Sequence, residues 1–129
     1  MTKASFLKWL AIAAILVTGG IHLLEARDSF GEAAYKGILF VGNGLGAIMA
    51  SIGILRERRW GWWLGLAVAA GAMVAYVLSR TVGLPQLPAE PDAWLEPAGV
   101  ASLIAEVLFI TAFVAARNSI PARNVRGDP

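Results

Sequence analysis

Four apolar stretches dominate the chain, and each has the length of about 20 residues that a helix needs to cross a lipid bilayer. They cover residues 6–24, 37–55, 60–79 and 98–116. Of the 129 residues, 57% are hydrophobic and only 16% are charged. The sequence therefore predicts an all-α membrane protein in which a four-transmembrane-helix bundle forms one domain, residues 1–117. Residues 118–129 are polar and contain two prolines and a glycine, so we expect a flexible cytoplasmic tail.

The basic residues predict which end of the bundle faces the cytoplasm, because short cytoplasmic loops carry an excess of Lys and Arg. In a four-span chain, Lys3, Lys8, the basic turn 56–59 and Arg117 fall on one side of the membrane, and most acidic loop residues fall on the other. Both termini are therefore expected in the cytoplasm. The first span is expected to be retained as a helix, since no small-x-small cleavage site follows it.

Local signals predict several helix boundaries. Residues 29–32, Ser-Phe-Gly-Glu, fit a capping box, so helix 2 is expected to begin near Phe30. Residues 85–91 carry a proline at every third position, which favours a stiff polyproline II segment in the outer loop. Pro97 suits the first position of helix 4, because the amide hydrogen that proline lacks has no helical partner there.

Small and aromatic residues predict how the helices pack. Small residues recur at helical spacing in two stripes, which are Gly42, Gly46, Ala50 and Gly53 in helix 2 and Gly61, Gly65, Ala69 and Ala72 in helix 3. Because small residues let helix backbones approach closely in lipid, we interpret both stripes as packing faces inside the bundle, with a dimer seam as the alternative. Trp60, Trp62 and Trp63 are expected to form an aromatic belt at the inner interface, with Trp94 at the outer one.

Polar residues inside the spans concentrate in the outer half of the bundle, and ionisable residues within a membrane indicate function by default. Residues three or four apart share one helix face, so these side chains can point inward together. We predict an outward-facing binding pocket lined by His22, Glu25, Asn43, Tyr76, Arg80, Ser102 and Glu106, with Thr18 one turn below His22. Arg80 is expected to pair with Glu106, because a guanidinium offers paired donors to a carboxylate. The inner half contributes little beyond Ser51 and Thr111.

The same residues also have a structural interpretation, which stays open on sequence alone. Glu106 is compatible with an ion pair or a hydrogen bond that fixes helix registry. In the same interpretation, His22 and Glu25 mark the point where helix 1 leaves the lipid. Asn43 forms a hydrogen bond between helices. In this interpretation, the hydroxyl groups of Tyr76 and Ser102 donate hydrogen bonds to nearby groups of the protein.

The residue types argue against several classes of protein. The chain has no cysteine and a single histidine, His22, so it has no disulfide, no thiolate metal site and no motif of two histidines. No serine has a recognisable general base beside it, so we do not expect an enzyme. The basic residues flank the spans, which argues against nucleic-acid binding. We expect no cofactor and no bound metal.

Two motifs in the second half of the chain resemble a known pattern. Residues 79–85 are S-R-T-V-G-L-P, and residues 94–106 are W-L-E-P-A-G-V-A-S-L-I-A-E. Together they resemble small, uncharacterised four-helix membrane proteins of bacteria, whereas the first half is similar only in hydropathy and glycine content. The resemblance implies a multi-pass protein of the bacterial cytoplasmic (inner) membrane and no known activity. The chain is also similar in size to small multidrug transporters, but these carry an acidic residue within the first span, where this chain has none before Glu25.

Two functions follow as hypotheses. The first is an accessory or scaffolding component, with the lipid bilayer and a larger membrane complex or a homodimer as partners. The alternative is a protein that binds or transports a small molecule, a lipid or an ion in a polar pocket around Arg80 and Glu106. The apolar inner half argues against a permeation path through a single chain.

Overall fold

The computed structural model describes residues 1–121, and this part of the chain folds into four α-helices. They are α1 (Lys3–Glu32), α2 (Ala34–Leu55), α3 (Arg59–Arg80) and α4 (Pro97–Ala116). Each helix is long and apolar enough to cross a membrane, which confirms the predicted all-helical architecture with four candidate spans. Most of the predicted tail, residues 122–129, lies outside the described residues.

The four helices form an antiparallel bundle. α1 and α2 are joined at Ala33, whose extended backbone (φ −160°, ψ 139°) reverses the chain. Gly19 packs against Ala47 and Gly44 against Leu23, so contacts run in opposite directions along the two helices. α1 also packs against α4, and α3 packs against α2 and α4, which leaves α2 and α4 diagonally opposite each other.

The two ends of the bundle differ in their packing. The end that holds the N-terminus, the turn 56–58 and the end of α4 is called the termini end here, and the end that holds Ala33 and the loop 81–96 is called the loop end. Apolar side chains fill the centre of the termini end, and Ile15 and Phe109 are fully buried there. Polar side chains collect at the loop end, which is therefore where the candidate site lies.

At the termini end, α2 and α3 touch through glycines. A methyl group placed on Gly61 would lie 2.5 Å from backbone atoms of Gly53, so only hydrogen fits between these two helices. This contact confirms the predicted packing faces at this end. Trp62 is only 5% exposed and its ring centroid lies 6.3 Å from that of Phe109. The predicted place of Trp62 in an interfacial belt is wrong, because its ring fills the core.

α2 and α3 separate toward the loop end. A methyl group on Gly46 would still lie 3.0 Å from Val68 Cγ2. One helical turn further, methyl groups on Gly42 and Gly71 would meet no side chain and no neighbouring helix within 4 Å. The packing prediction therefore fails for Gly42, which borders an opening between α2 and α3.

Two predicted details are wrong, and one is confirmed. Ser29 lies inside α1 and caps no helix, because α1 continues beyond its apolar stretch to Glu32 and α2 begins at Ala34 without a side-chain cap. The proline-rich loop is not a polyproline II segment, since Leu84 and Leu87 form a bridge around Gln86 at φ 66°. Pro97 is the first residue of α4, as predicted.

Candidate binding site

A cavity of about 670 Å³ occupies the loop end of the bundle. All four helices and the loop 81–96 contribute to its wall, and all seven residues of the predicted pocket line it. The walls formed by α2 and α3 consist largely of aliphatic, alanine and glycine residues, which are Ile38, Leu39, Gly42, Ala67, Val68, Gly71, Ala72 and Ala75. The structure therefore brings the predicted residues together around one space.

The deepest polar group of the cavity is the carboxylate of Glu106, which is 2% exposed. Thr18 Oγ1 and Ser102 Oγ each donate a hydrogen bond of 2.5 Å to Glu106 Oε2, and the two hydroxyl oxygens lie 2.7 Å apart. Ser102 reaches Glu106 because the two lie one turn apart on α4, whereas Thr18 reaches it across the α1–α4 interface. We call these three residues the carboxylate cluster.

His22 continues the cluster along α1. Its Nδ1 lies 2.8 Å from the carbonyl oxygen of Thr18, which can only accept a hydrogen bond, so Nδ1 is the donor. The neutral ring then presents Nε2 as an acceptor. The ring also lies 4.8 Å from that of Phe40 on α2, which holds it at the cavity wall.

The predicted pair between Arg80 and Glu106 is wrong. The Nε and Nη2 atoms of Arg80 donate to the carbonyl oxygen of Ala93 over 3.3 and 3.2 Å, and Nη2 lies 3.6 Å from the Glu96 carboxylate. The guanidinium also lies 4.0 Å from the centroid of the Tyr76 ring. A long cationic side chain at a helix end extends toward water rather than into an apolar core, which explains this orientation.

The loop 81–96 lies across the loop end of the cavity and is fixed by side chains of α2 and α3. Tyr35 Oη donates to the carbonyl oxygen of Pro85 over 2.6 Å, and Tyr76 Oη donates to that of Trp94. Arg80 holds the same loop segment through Ala93, as described above. The sequence prediction included Tyr76 and Arg80 but missed Tyr35, whose only signal is its place at the start of a span.

Asn43 and Glu25 both line the cavity, and Asn43 lacks the partner that a structural role predicts for it. Asn43 Oδ1 is buried and has no hydrogen bond within residues 1–121, so the interpretation as a bond between helices is wrong. Glu25 lies half-buried at the cavity wall, and it has no ion pair in the described part of the chain. Both groups keep hydrogen-bonding capacity for a further molecule.

The few polar side chains of the termini end have local partners. Ser51 Oγ donates to the carbonyl oxygen of Ala47, and Thr111 Oγ1 donates to that of Val107, each four residues earlier on its own helix. Among residues 1–121, no group of three or more His, Asp or Glu side chains is arranged to hold a metal ion. In the described chain, Ser51 and Thr111 thus have local partners, whereas Asn43 Oδ1 at the loop end has none.

Comparison of the chain with protein-family models, curated proteins and solved structures gives no match. The resemblance to small four-helix bacterial membrane proteins therefore stays an interpretation of the motifs in the second half of the chain. The function has to be argued from the geometry of the cavity.

Proposed function

We propose that this chain is a multi-pass protein of the bacterial cytoplasmic membrane, with both termini cytoplasmic, and that it binds one amphipathic small molecule in the cavity. The observation that carries the proposal is the form of the cavity, in which apolar walls end on the buried carboxylate cluster of Thr18, Ser102 and Glu106. Ligand sites in proteins combine mostly apolar walls with a few convergent polar groups.

The size of the cavity supports a small organic ligand. Its volume of about 670 Å³ falls within the range of roughly 300–1,000 Å³ that is typical of small-molecule sites. A single ion would leave most of this space and its apolar walls unused. A molecule with an apolar body and a polar end matches both the walls and the cluster.

The opening between α2 and α3 supports entry from the lipid. The loop 81–96 covers the loop end of the cavity, whereas Gly42 and Gly71 leave its side open. In the proposed orientation this opening faces the bilayer. An amphiphile that has partitioned into the membrane reaches the cavity sideways, without passing the loop.

The core of the termini end supports binding rather than permeation. Phe109 lies one turn from Glu106 on α4 and is fully buried against Trp62 and the helix surface at Gly65. Beyond the carboxylate cluster, the centre of the bundle is closed by apolar side chains. Within residues 1–121, no polar side chains lead from Glu106 through this core to the proposed cytoplasmic end.

Photolabelling in lipid nanodiscs tests this proposal. The probe is a neutral aliphatic alcohol that carries a diazirine on its chain. We expect saturable labelling of cavity residues such as His22, Phe40 and Ala72, with competition by excess unlabelled alcohol. Leu24, which is 83% exposed on the outside of α1, serves as the lipid-facing control and should be labelled without saturation. Non-saturable labelling of both sets would refute the proposal.

An accessory or scaffolding role is the second candidate, and one surface favours it. Ala13, Val17, Gly20 and Leu24 share an outward face of α1, and a methyl group on Gly20 would meet nothing within 4 Å. A glycine notch in an apolar face suits close approach of a helix from another chain. Crosslinking in native membranes should then capture a specific neighbour through α1, and Gly20→Leu should abolish that product.

A further inference from the structure

The carboxylate cluster offers an acceptor that no described donor uses. Both hydroxyl groups beside Glu106 donate to the same atom, Oε2. Within residues 1–121, Oε1 receives no hydrogen bond, although Glu106 lines the cavity. This oxygen is open to the cavity, so a ligand that donates a hydrogen bond can reach it.

Two more acceptors lie at the same cavity wall. His22 donates through Nδ1, which leaves Nε2 with a lone pair and no partner in the described chain. Asn43 Oδ1 is buried and equally without a donor. The two residues belong to α1 and α2, and Glu106 belongs to α4, so the acceptors surround the space from three helices. Glu106 and His22 thus present free acceptors, and the Asn43 amide adds both an acceptor and a donor.

Most charged side chains around the cavity are acidic. Six carboxylates line it, and they belong to Glu25, Asp28, Glu32, Glu90, Glu96 and Glu106. Only two basic side chains line it, and both are already paired, Lys36 with Glu32 and Arg80 with Glu96. Asp28, Glu32, Glu90 and Glu96 are exposed at the loop end, so together they attract a cation toward the mouth of the cavity.

We propose that the ligand of this cavity is a cationic amphiphile with a primary ammonium group, and this inference rests on the proposed binding function. The ammonium lies at Glu106 Oε1 and His22 Nε2, with the amide of Asn43 as a further acceptor, and the aliphatic part lies between α2 and α3. An ammonium has three donors and no acceptor, which matches this wall. An alcohol supplies one donor and no charge, and a carboxylate is repelled by the acidic lining.

Three compounds with the same alkyl chain and different head groups distinguish an ammonium ligand from an alcohol and a carboxylate. Dodecylamine, 1-dodecanol and dodecanoate compete with the diazirine alcohol for the wild-type protein in nanodiscs of zwitterionic lipid. We expect dodecylamine to compete at a concentration about tenfold or more below that of 1-dodecanol, because charge-assisted hydrogen bonds are the strong ones. Dodecanoate should compete least. Equal competition by all three compounds would overturn the cationic assignment but leave the binding function intact.

Glu106→Gln provides the decisive variant. It should remove the advantage of dodecylamine over 1-dodecanol while the alcohol still competes. Glu57→Gln is the matched control, because Glu57 is a carboxylate at the termini end and pairs with Lys8 outside the cavity. If Glu106→Gln fails to fold, Asn43→Leu is tested in its place. It should weaken competition by dodecylamine and leave competition by 1-dodecanol unchanged. An unchanged amine preference in the folded variant would refute the inference, and saturable competition by none of the compounds would refute the binding function itself.

Discussion

Thr18 donates a hydrogen bond of 2.5 Å to Glu106, although 88 residues separate the two along the chain. The bond joins the first helix to the last and places the buried carboxylate at the floor of the cavity. Ser102 donates to the same oxygen from within α4. The two hydroxyl groups thus position the carboxylate before any ligand arrives.

The stability of the α1–α4 contact depends on this bond. Thr18→Val keeps the shape of the side chain and removes its hydroxyl, so we expect the free energy of unfolding to fall by about 1–2 kcal/mol. Thr111→Val is the control, since Thr111 Oγ1 bonds only to the carbonyl oxygen of Val107 on an exposed helix face. Reversible unfolding in mixed micelles measures both variants. An equal loss in the two would show that the bond to Glu106 adds nothing specific.

The glycine contact between α2 and α3 predicts that alanine at Gly61 destabilises the protein, whereas alanine at Gly71 does not. In Gly61→Ala the new methyl group would lie 2.5 Å from the backbone of Gly53, so the helices must move apart. We expect a loss of roughly 1–3 kcal/mol in the free energy of unfolding, as for overpacked cores. Gly71→Ala meets nothing within 4 Å and should be neutral or stabilising, because alanine favours helix more than glycine does. The midpoint of thermal unfolding in detergent separates the two cases.

The guanidinium of Arg80 holds the loop over the cavity, and lysine cannot replace it. Arg80 contacts the carbonyl oxygen of Ala93 through two nitrogen atoms and the carboxylate of Glu96 through one of them. A lysine has one ammonium and loses the planar fork. In Arg80→Lys we expect amide hydrogen exchange in residues 84–96 to accelerate about tenfold. The loss of one hydrogen bond lowers the free energy needed to open this loop locally. Exchange in α1 should stay unchanged, and Arg27→Lys on the exposed side of α1 should alter neither segment.

The opening between α2 and α3 has room for larger side chains at its edges. A Cβ atom on Gly42 or Gly71 would meet no atom of another helix within 4 Å, so a leucine at either position begins in open space. We expect the double variant Gly42→Leu/Gly71→Leu to fold and to lose saturable photolabelling of the cavity. Gly20→Leu adds the same bulk outside the cavity and should keep the labelling. Full labelling of the closed variant would show that the ligand enters past the loop.

The four helices could be predicted because hydropathy alone decides which segments are long and apolar enough to cross a membrane. The end of α1 could not, since residues 25–32 include five polar or charged side chains and yet continue the helix that the apolar stretch begins. Helical hydrogen bonds do not depend on lipid, so a span and its helix need not end together. The same reasoning explains why the capping-box motif at Ser29 was misleading.

The members of the candidate site could be predicted, but their partners could not. Polar residues of a buried bundle face its interior, which places His22 and Glu106 around one space. Which donor reaches Glu106 depends on the rotation of α1 against α4, and hydropathy carries no information about that angle. Thr18 therefore takes the place predicted for Arg80. The turn at Gln86, with a positive φ, could likewise not be read from proline spacing.

Native mass spectrometry of the protein extracted gently from its own membrane tests the binding function most directly. We expect the wild-type chain to retain one small molecule and Gly42→Leu/Gly71→Leu, purified in the same way, to retain none. Gly20→Leu should retain the molecule as the wild-type chain does. A wild-type chain without any bound small molecule, alone or in complex with a larger protein, would rule out the binding function.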